Sequence, residues 1–268
     1  MMRLTLLLVY TFTSVWVYSQ QAKNTKPVAG SNDHLIMSVV WYQQSAEMRA
    51  VYYQCYNYAR MMFDQKMAEL RELERGPKAV IVDIDETVLD NSPFEAKCIE
   101  TGQSYNKEFW KEWTSKSEAK ALPGSVEFLN HVAENEVEVF YISNRYEDER
   151  EITINNLKMH GFPFADEKHL LLRRETSDKT DRRTYIASQY RILLLVGDQL
   201  SDFDAIFDKR GDDAGFLLVD KNQEKFGPEF IILPNPMYGD WERYIYRNTE
   251  KPDYKQKTNL LKKSLKSF

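Results

Sequence analysis

Asp83, Asp85, Glu86 and Asp90 fall within eight positions of the stretch KAVIVDIDETVLDNS, Lys78 to Ser92, directly behind an apolar run. Carboxylates at this density repel one another and persist only with a cation or a shared proton. Asp83 and Asp85 stand two positions apart, so if the extended chain continues briefly both address one small volume. Further groups stand where other apolar runs end. VEVFYI leads into Ser143-Asn144-Arg145, HLLL leads toward Lys179, and ILLLV leads into GDQLSDF with Asp198 and Asp202. Taken singly, Ser143 or Asn144 is an ordinary turn residue, Lys179 belongs to a solvated helix start, and Asp202 caps a helix. Taken in order, strand ends that carry carboxylates, a hydroxyl and an ammonium make a catalytic carboxylate site.

The elements that must position these groups follow from periodicity. Ala79, Val80, Ile81 and Val82 form a continuous, mostly β-branched run, which suits a central parallel strand covered on both faces. Similar runs occur at 137–142, 169–172, 192–196 and 216–219 (FLLV), with helical candidates near 126–134, 147–160, 179–190 and 202–207. This alternation predicts an α/β fold with a parallel sheet flanked by crossover helices. Ligands of such sheets bind outside the carboxyl ends of the strands, which is where the candidate groups lie. Ahead of the sheet, residues 34–75 read as a helical arm. Met48, Val51, Cys55, Tyr58 and Met62 are spaced for one helical face, and Gly76-Pro77 stops the helix. Residues 91–122 fit no strand, carry Phe109, Trp110 and Trp113, and read as an insertion over the site.

Composition sets the remaining bounds. The chain of 268 residues is 43% hydrophobic, enough for a substantial core. Its net charge of −5 suggests no surface for a nucleic-acid polymer. The start MMRLTLLLVYTFTSVWVYSQQ has one early basic residue, a short apolar stretch and small residues, the layout of a signal peptide cleaved after about Ser19. The stretch is too short to favour a membrane span. The mature protein is thus expected to be secreted or periplasmic, with no stable membrane insertion. Cys55 and Cys98 are the two cysteines, and a disulfide between them and two unpaired thiols are both open. His34, His131, His160 and His169 match no metal-ligand spacing. Neither cysteine begins a Cys-x5-Arg phosphatase loop, and Asp204, Asp208, Asp212 and Asp213 read as surface charge.

The motifs DIDET, SNR, a lysine at a helix start and GDQLSDF resemble the four motifs of the haloacid dehalogenase superfamily. The longer strings VDIDETVLDNSPF, ALPGSVEFLN, LLLVGDQLSDF and LPNPMYGDWE are similar to the class C bacterial acid phosphatases, the lipoprotein acid phosphatase and 5′-nucleotidase group. The resemblance runs from about Val39 to Tyr246. Phe94 stands where that family usually has tyrosine, Gln199 where it has asparagine, and no lipid-attachment cysteine precedes Cys55, so the chain is expected not to be lipid-anchored. The resemblance implies a Rossmann-like haloacid dehalogenase fold over 77–268, with a small cap insertion at about 91–122, behind a signal peptide (1–19) and a linker and helical arm (20–76). It implies a Mg²⁺-dependent acid phosphatase that hydrolyses small phosphomonoesters, nucleoside 5′-monophosphates among them, through an aspartyl-phosphate. Asp83 would be the nucleophile and Asp85 the acid and base. Ser143, Asn144 and Lys179 would hold phosphoryl oxygens. Asp83, the backbone carbonyl of Asp85, Asp198 and Asp202 would make an all-oxygen site suited to Mg²⁺. Trp110 and Tyr238 would stack on a base, with Trp113 and Trp241 in the core. Two rivals share the fold: a non-catalytic binding or storage protein, against which both aspartates weigh, and a phosphotransferase. A homo-oligomer is compatible with all of these.

Overall fold

The computed structural model describes residues 32–70, 76–250 and 252–268. The expected signal peptide and most of the linker behind it lie outside the described residues. The described chain begins with α1 (Ile36–Gln44) and α2 (Ala46–Glu69), then lays down β1 (Lys78–Val82). A ribbon of β2 (Leu89–Asp90) and β3 (Lys120–Ala121) closes the base of the insertion, which holds α3 (Ser92–Thr101) and α4 (Lys107–Thr114). Next, α5 (Ser125–Glu134) leads to β4 (Glu138–Tyr146), α6 (Arg150–Met159) to β5 (Leu170–Arg173), and α7 (Thr180–Ala187) to β6 (Arg191–Gly197). The last elements are α8 (Phe216–Lys221), β7 (Phe230–Ile232), α9 (Asp240–Tyr246) and α10 (Tyr254–Ser264).

Five parallel strands form one sheet in the order β5-β4-β1-β6-β7. This is the Rossmann-like arrangement expected, with the AVIV run at its centre. Val80 and Val82 face a core shared with Tyr52, Phe63, Phe128 and Leu129 of α2 and α5. Ala79 and Ile81 face Phe140, Ile142 and, from α7, Ile186. A strand apolar on both faces must be covered on both, which is why its sequence does not alternate. Because β4 and β6 flank β1 on either side, the chain reverses direction of travel there, and a crevice opens at the strands' carboxyl ends.

Three expectations need correction. FLLV is not a strand but the start of α8, with Phe216 70% exposed. Asp213 accepts from the Gly215 and Leu217 backbone N–H groups at 3.0 and 2.7 Å, which starts a helix there, and Phe230–Ile232 takes the sheet edge. The insertion does contain a strand, Lys120–Ala121, too short to give a periodic signal. On α2 the buried side runs Met48, Tyr52, Tyr56, Ala59, Met62 and Phe63, whereas Tyr58 is 41% exposed. Tyr52 and Tyr56 are drawn inward because their hydroxyls donate to the carbonyls of Glu86 and Thr87 at 2.5 and 2.7 Å. The helical arm itself breaks at Ser45, whose hydroxyl caps α2 through the Met48 N–H at 3.0 Å. Cys55 and Cys98 are both free thiols. Among the described residues, no helix is long and apolar enough to cross a membrane.

Candidate active site

At the end of β1 the Asp83 N–H still donates to Val196 O at 2.9 Å, so the ladder carries one residue beyond the strand. The chain then folds tightly. Thr87, Val88 and Leu89 N–H groups all converge on the Ile84 carbonyl, and Glu86 sits at φ 58°. Buried Ile84 points away between the two aspartates, leaving Asp83 and Asp85 at the crevice.

Asp83 is buried and receives the Lys179 ammonium as an ion pair, with the Thr87 hydroxyl at 3.3 Å. Lys179 stands at the residue before α7, and its Nζ also reaches Asp202 at 2.7 Å. Asp85 is held from β4. It accepts from Arg145 Nε and Nη2 at 2.9 and 2.8 Å, from Ser143 Oγ at 3.1 Å, and from Asn91 Nδ2 at 2.8 Å. At the end of β6, Asp198 accepts from Gln199 Nε2 at 2.7 Å and Asn235 Nδ2 at 2.8 Å. Asp202 closes a short 3-10 turn by accepting from the Gln199 N–H at 2.9 Å.

One carboxylate oxygen each of Asp83, Asp198 and Asp202 lies within 4.8 Å of the others, all three residues being buried. Burial pushes the Asp83 carboxyl up to about 7; the Lys179 ammonium opposes this, and Asp202 and Asp85 add to it. Asp198 is pushed well above the ordinary carboxylate range by burial, then by Asp202 and Asp83. Burial alone would lower Lys179, but Asp202 and Asp83 outweigh it and raise it. Three buried carboxylates thus face one ammonium, and their oxygen donors fit a hard divalent cation that would offset the surplus negative charge.

The structure therefore brings Asp83, Asp85, Ser143, Lys179, Asp198 and Asp202 into one network. Asn144 lies at its exposed margin, where its Oδ1 accepts from Arg182 Nη2 at 2.8 Å. Trp110 is 8% exposed, edge-on to Phe94 at 5.1 Å between ring centroids and 5.7 Å beneath the Arg145 guanidinium. The most open ring of that aromatic group is Tyr105, 57% exposed. Tyr238 is half-buried and donates its hydroxyl to Glu86. Trp113 packs against the core as expected, but Trp241 is 37% exposed, because its indole N–H reaches out to Asn235 O at 3.2 Å.

Sequence reading assigned no role to Arg145, Arg182, Glu86, Asn91 or Asn235. Arg145 was in plain view in SNR, two positions from Ser143 and so on the same face of the strand. Arg182 donates to Ser143 O at 2.7 Å, a backbone contact that no side-chain pattern could reveal.

The model of the HAD superfamily, subfamily IIIB (acid phosphatase), matches residues 4–241. The structure of the class C acid phosphatase from Bacillus anthracis superposes with a TM-score of 0.83 at 40% identity, covering 89% of this chain and 99% of that one. A second structure of that enzyme, with tungstate bound, gives 0.82 at 39% identity, covering 88% and 98%. The stem 31 kDa glycoprotein of Glycine max is 32% identical over 164 residues, which is 59% of this chain. The match spans 58% of the length of that plant relative.

Proposed function

The chain belongs to the HAD superfamily, subfamily IIIB, the acid phosphatases, and from that premise we propose an exported, Mg²⁺-dependent phosphomonoesterase that favours nucleoside 5′-monophosphates. The observation that carries the proposal is the buried carboxylate trio joined through Lys179 to Asp83, with Asp85 held beside it by Arg145 and Ser143. Asp83 is the nucleophile. Its oxygen forms a bond to phosphorus as the ester P–O bond breaks, and the departing oxygen takes its electron pair and a proton from Asp85. The Asp85 carboxylate then takes a proton from water, whose oxygen attacks phosphorus and releases Asp83. Ser143, Asn144 and Lys179 hold the phosphoryl oxygens, with Lys179 supplying charge. Asp83, the Asp85 carbonyl, Asp198 and Asp202 would hold Mg²⁺, which when bound offsets the repulsion between the attacking carboxylate and a dianionic ester. Tungstate, a tetrahedral oxyanion, bound to the Bacillus anthracis relative supports an anionic substrate here.

The half-buried ring of Tyr238 supplies the preference for a base, whereas Trp110, expected to stack beside it, is covered by Arg145 and Phe94, and the leader-like residues 1–19 support export. The deciding experiment assays Asp83→Asn on a nucleoside 5′-monophosphate and on a small alkyl phosphate, with and without chelator. Activity should fall by several orders of magnitude with the fold retained, and chelation should silence the parent enzyme until Mg²⁺ returns. Substantial turnover by Asp83→Asn rules the mechanism out. Export is checked by mass spectrometry of exported material, with an N-terminus near Gln20 expected and an intact Met1 contradicting it.

A further inference from the structure

The loop Asn235–Tyr238 touches two strand ends at once. On one side Asn235 Nδ2 donates to Asp198 at 2.8 Å, while its Oδ1 accepts from the Met237 and Tyr238 N–H groups at 3.0 and 3.4 Å, which fixes the loop's shape. On the other side the Tyr238 hydroxyl donates to Oε2 of Glu86. The second oxygen of Glu86 accepts from the Asn91 N–H at 2.7 Å, and the Asn91 side chain donates to Asp85 at 2.8 Å. A continuous hydrogen-bonded path thus runs Tyr238, Glu86, Asn91, Asp85.

Glu86 is an expensive residue to keep in this place. It is fully buried, and it holds a left-handed backbone conformation at φ 58°. A buried carboxyl carries a large desolvation penalty, and a non-glycine residue in that region is strained. A turn needing only that backbone would be served better by glycine. What glycine lacks is a pair of oxygens that tie the Tyr238 loop to Asn91. The Tyr52 hydroxyl of the helical arm clamps the same residue through its carbonyl at 2.5 Å, so Glu86 is gripped from three elements.

We propose that Glu86 is a positioning residue and that Tyr238 does two separable things: its ring faces the organic part of the substrate, while its hydroxyl, through Glu86 and Asn91, sets the Asp85 carboxylate against the leaving oxygen. The inference rests on the roles of Asp85 and Tyr238 proposed above. It makes the recognition loop part of the acid–base apparatus, so that a displaced loop lowers turnover even on substrates that have no base.

The test separates ring from hydroxyl. Tyr238→Phe keeps the ring, and kcat should fall about tenfold on a nucleoside 5′-monophosphate and on a small alkyl phosphate alike, with both KM values unchanged. Tyr238→Ala should show the same loss in kcat and, for the nucleotide alone, a rise in KM of about tenfold or more. Glu86→Gln keeps an acceptor for the Asn91 N–H and turns the other oxygen into a donor from which the Tyr238 hydroxyl can accept, so its loss in kcat should be smaller than that of Glu86→Ala, which should match Tyr238→Phe. The double variant Tyr238→Phe, Glu86→Ala should be no slower than Glu86→Ala, because both break one path. An unchanged kcat in Tyr238→Phe, or multiplying losses in the double variant, overturns the proposal. Should Glu86→Ala fail to fold, Tyr238→Phe decides alone, since it removes one hydroxyl from a half-buried ring. Base recognition fails separately, when Tyr238→Ala leaves the nucleotide KM unchanged, because the path is read from the alkyl phosphate.

Discussion

Arg145 grips one oxygen of Asp85, Oδ1, with two N–H groups of one guanidinium while a third reaches Thr153 Oγ1 at 3.3 Å, and the side chain is buried, its guanidinium lying over the Trp110 ring. Burial alone would lower the Arg145 pKa, but Asp85 outweighs it and raises it, so the cation is firmly retained. Two N–H groups of a rigid plane converging on Oδ1, with Oδ2 left to the Ser143 hydroxyl at 3.1 Å, fix which oxygen faces which way, and a single lysine ammonium does not reproduce that plane. Asp85 must present one particular oxygen to the leaving group, so Arg145→Lys should lower kcat by about 10–100-fold with little change in KM. Arg145→Ala should in addition destabilise the fold by about 3–5 kcal/mol, since it leaves a charge in the interior without its partner. Steady-state kinetics and denaturant titration of the two variants check both statements. A parental kcat in Arg145→Lys would show that the paired N–H contacts to Oδ1 are immaterial to Asp85.

At the scale of elements, the site depends on how sharply the chain turns as β6 ends. A Cβ placed on Gly197 would lie 2.5 Å from the Asp202 Cβ and 2.7 Å from its Cγ, so the 3-10 turn can fold back over the strand end only with glycine there. Gly197→Ala should push Asp202 away from Lys179 and Asp83, raise the Mg²⁺ concentration needed for half-maximal activity severalfold, and destabilise by about 1–3 kcal/mol. A Mg²⁺ titration of activity beside a thermal melt reads both, and an unshifted titration would show that the turn does not set the trio. Close approaches of this kind mark the limit of what the sequence makes legible. The strands β1, β4, β5 and β6 and the carboxylates at their ends were readable because buried parallel strands are long apolar runs and motif residues sit at fixed offsets from them. β7 was missed because Phe230–Ile232 is three residues long, and FLLV was misread because an apolar run of four does not distinguish a strand from a helical turn that Asp213 caps. Arg145, Glu86 and Asn91 were visible as letters but not as a network, because their partners are brought near by the turn after β1 and by the insertion. The same holds for Tyr52 and Tyr56, whose inward placement is decided by carbonyls of a distant loop.

Across the whole molecule, charge is stored where water is scarce, and this should set how stability responds to pH and metal. Glu95 lies where α3 meets the C-terminal helices. Burial raises its carboxyl to about 7, Glu242 adds to this, and Lys257 opposes it. Asp83 is raised to about 7 as well in the absence of a cation, first by burial. The sign follows directly. Below about pH 4 these groups are protonated in both the folded and the unfolded chain and do not bear on the balance. Between that point and about 7 the unfolded chain releases protons that the fold retains, so folding becomes steadily less favourable as pH rises. Metal-free protein should therefore melt at a higher temperature at pH 5 than at pH 8. Mg²⁺ reverses the trend, because it binds the ionised trio in the folded state alone and competes there with protons. At a hundredfold excess over its Kd it should add about 2.7 kcal/mol, which at about 2–4 °C per kcal/mol for a chain of this size is a rise of roughly 5–10 °C. That rise should be larger at pH 8 than at pH 5. Glu95→Gln separates the two contributions: the metal-free slope between pH 5 and pH 8 should flatten, while the Mg²⁺ increment stays as in the parent, because Glu95 answers to Glu242 and Lys257 and not to the trio. Calorimetric melts at the two pH values, with chelator and with Mg²⁺, give all of these quantities. A metal-free melting temperature that climbs from pH 5 to pH 8 would mean that the buried carboxyls are already ionised in the fold.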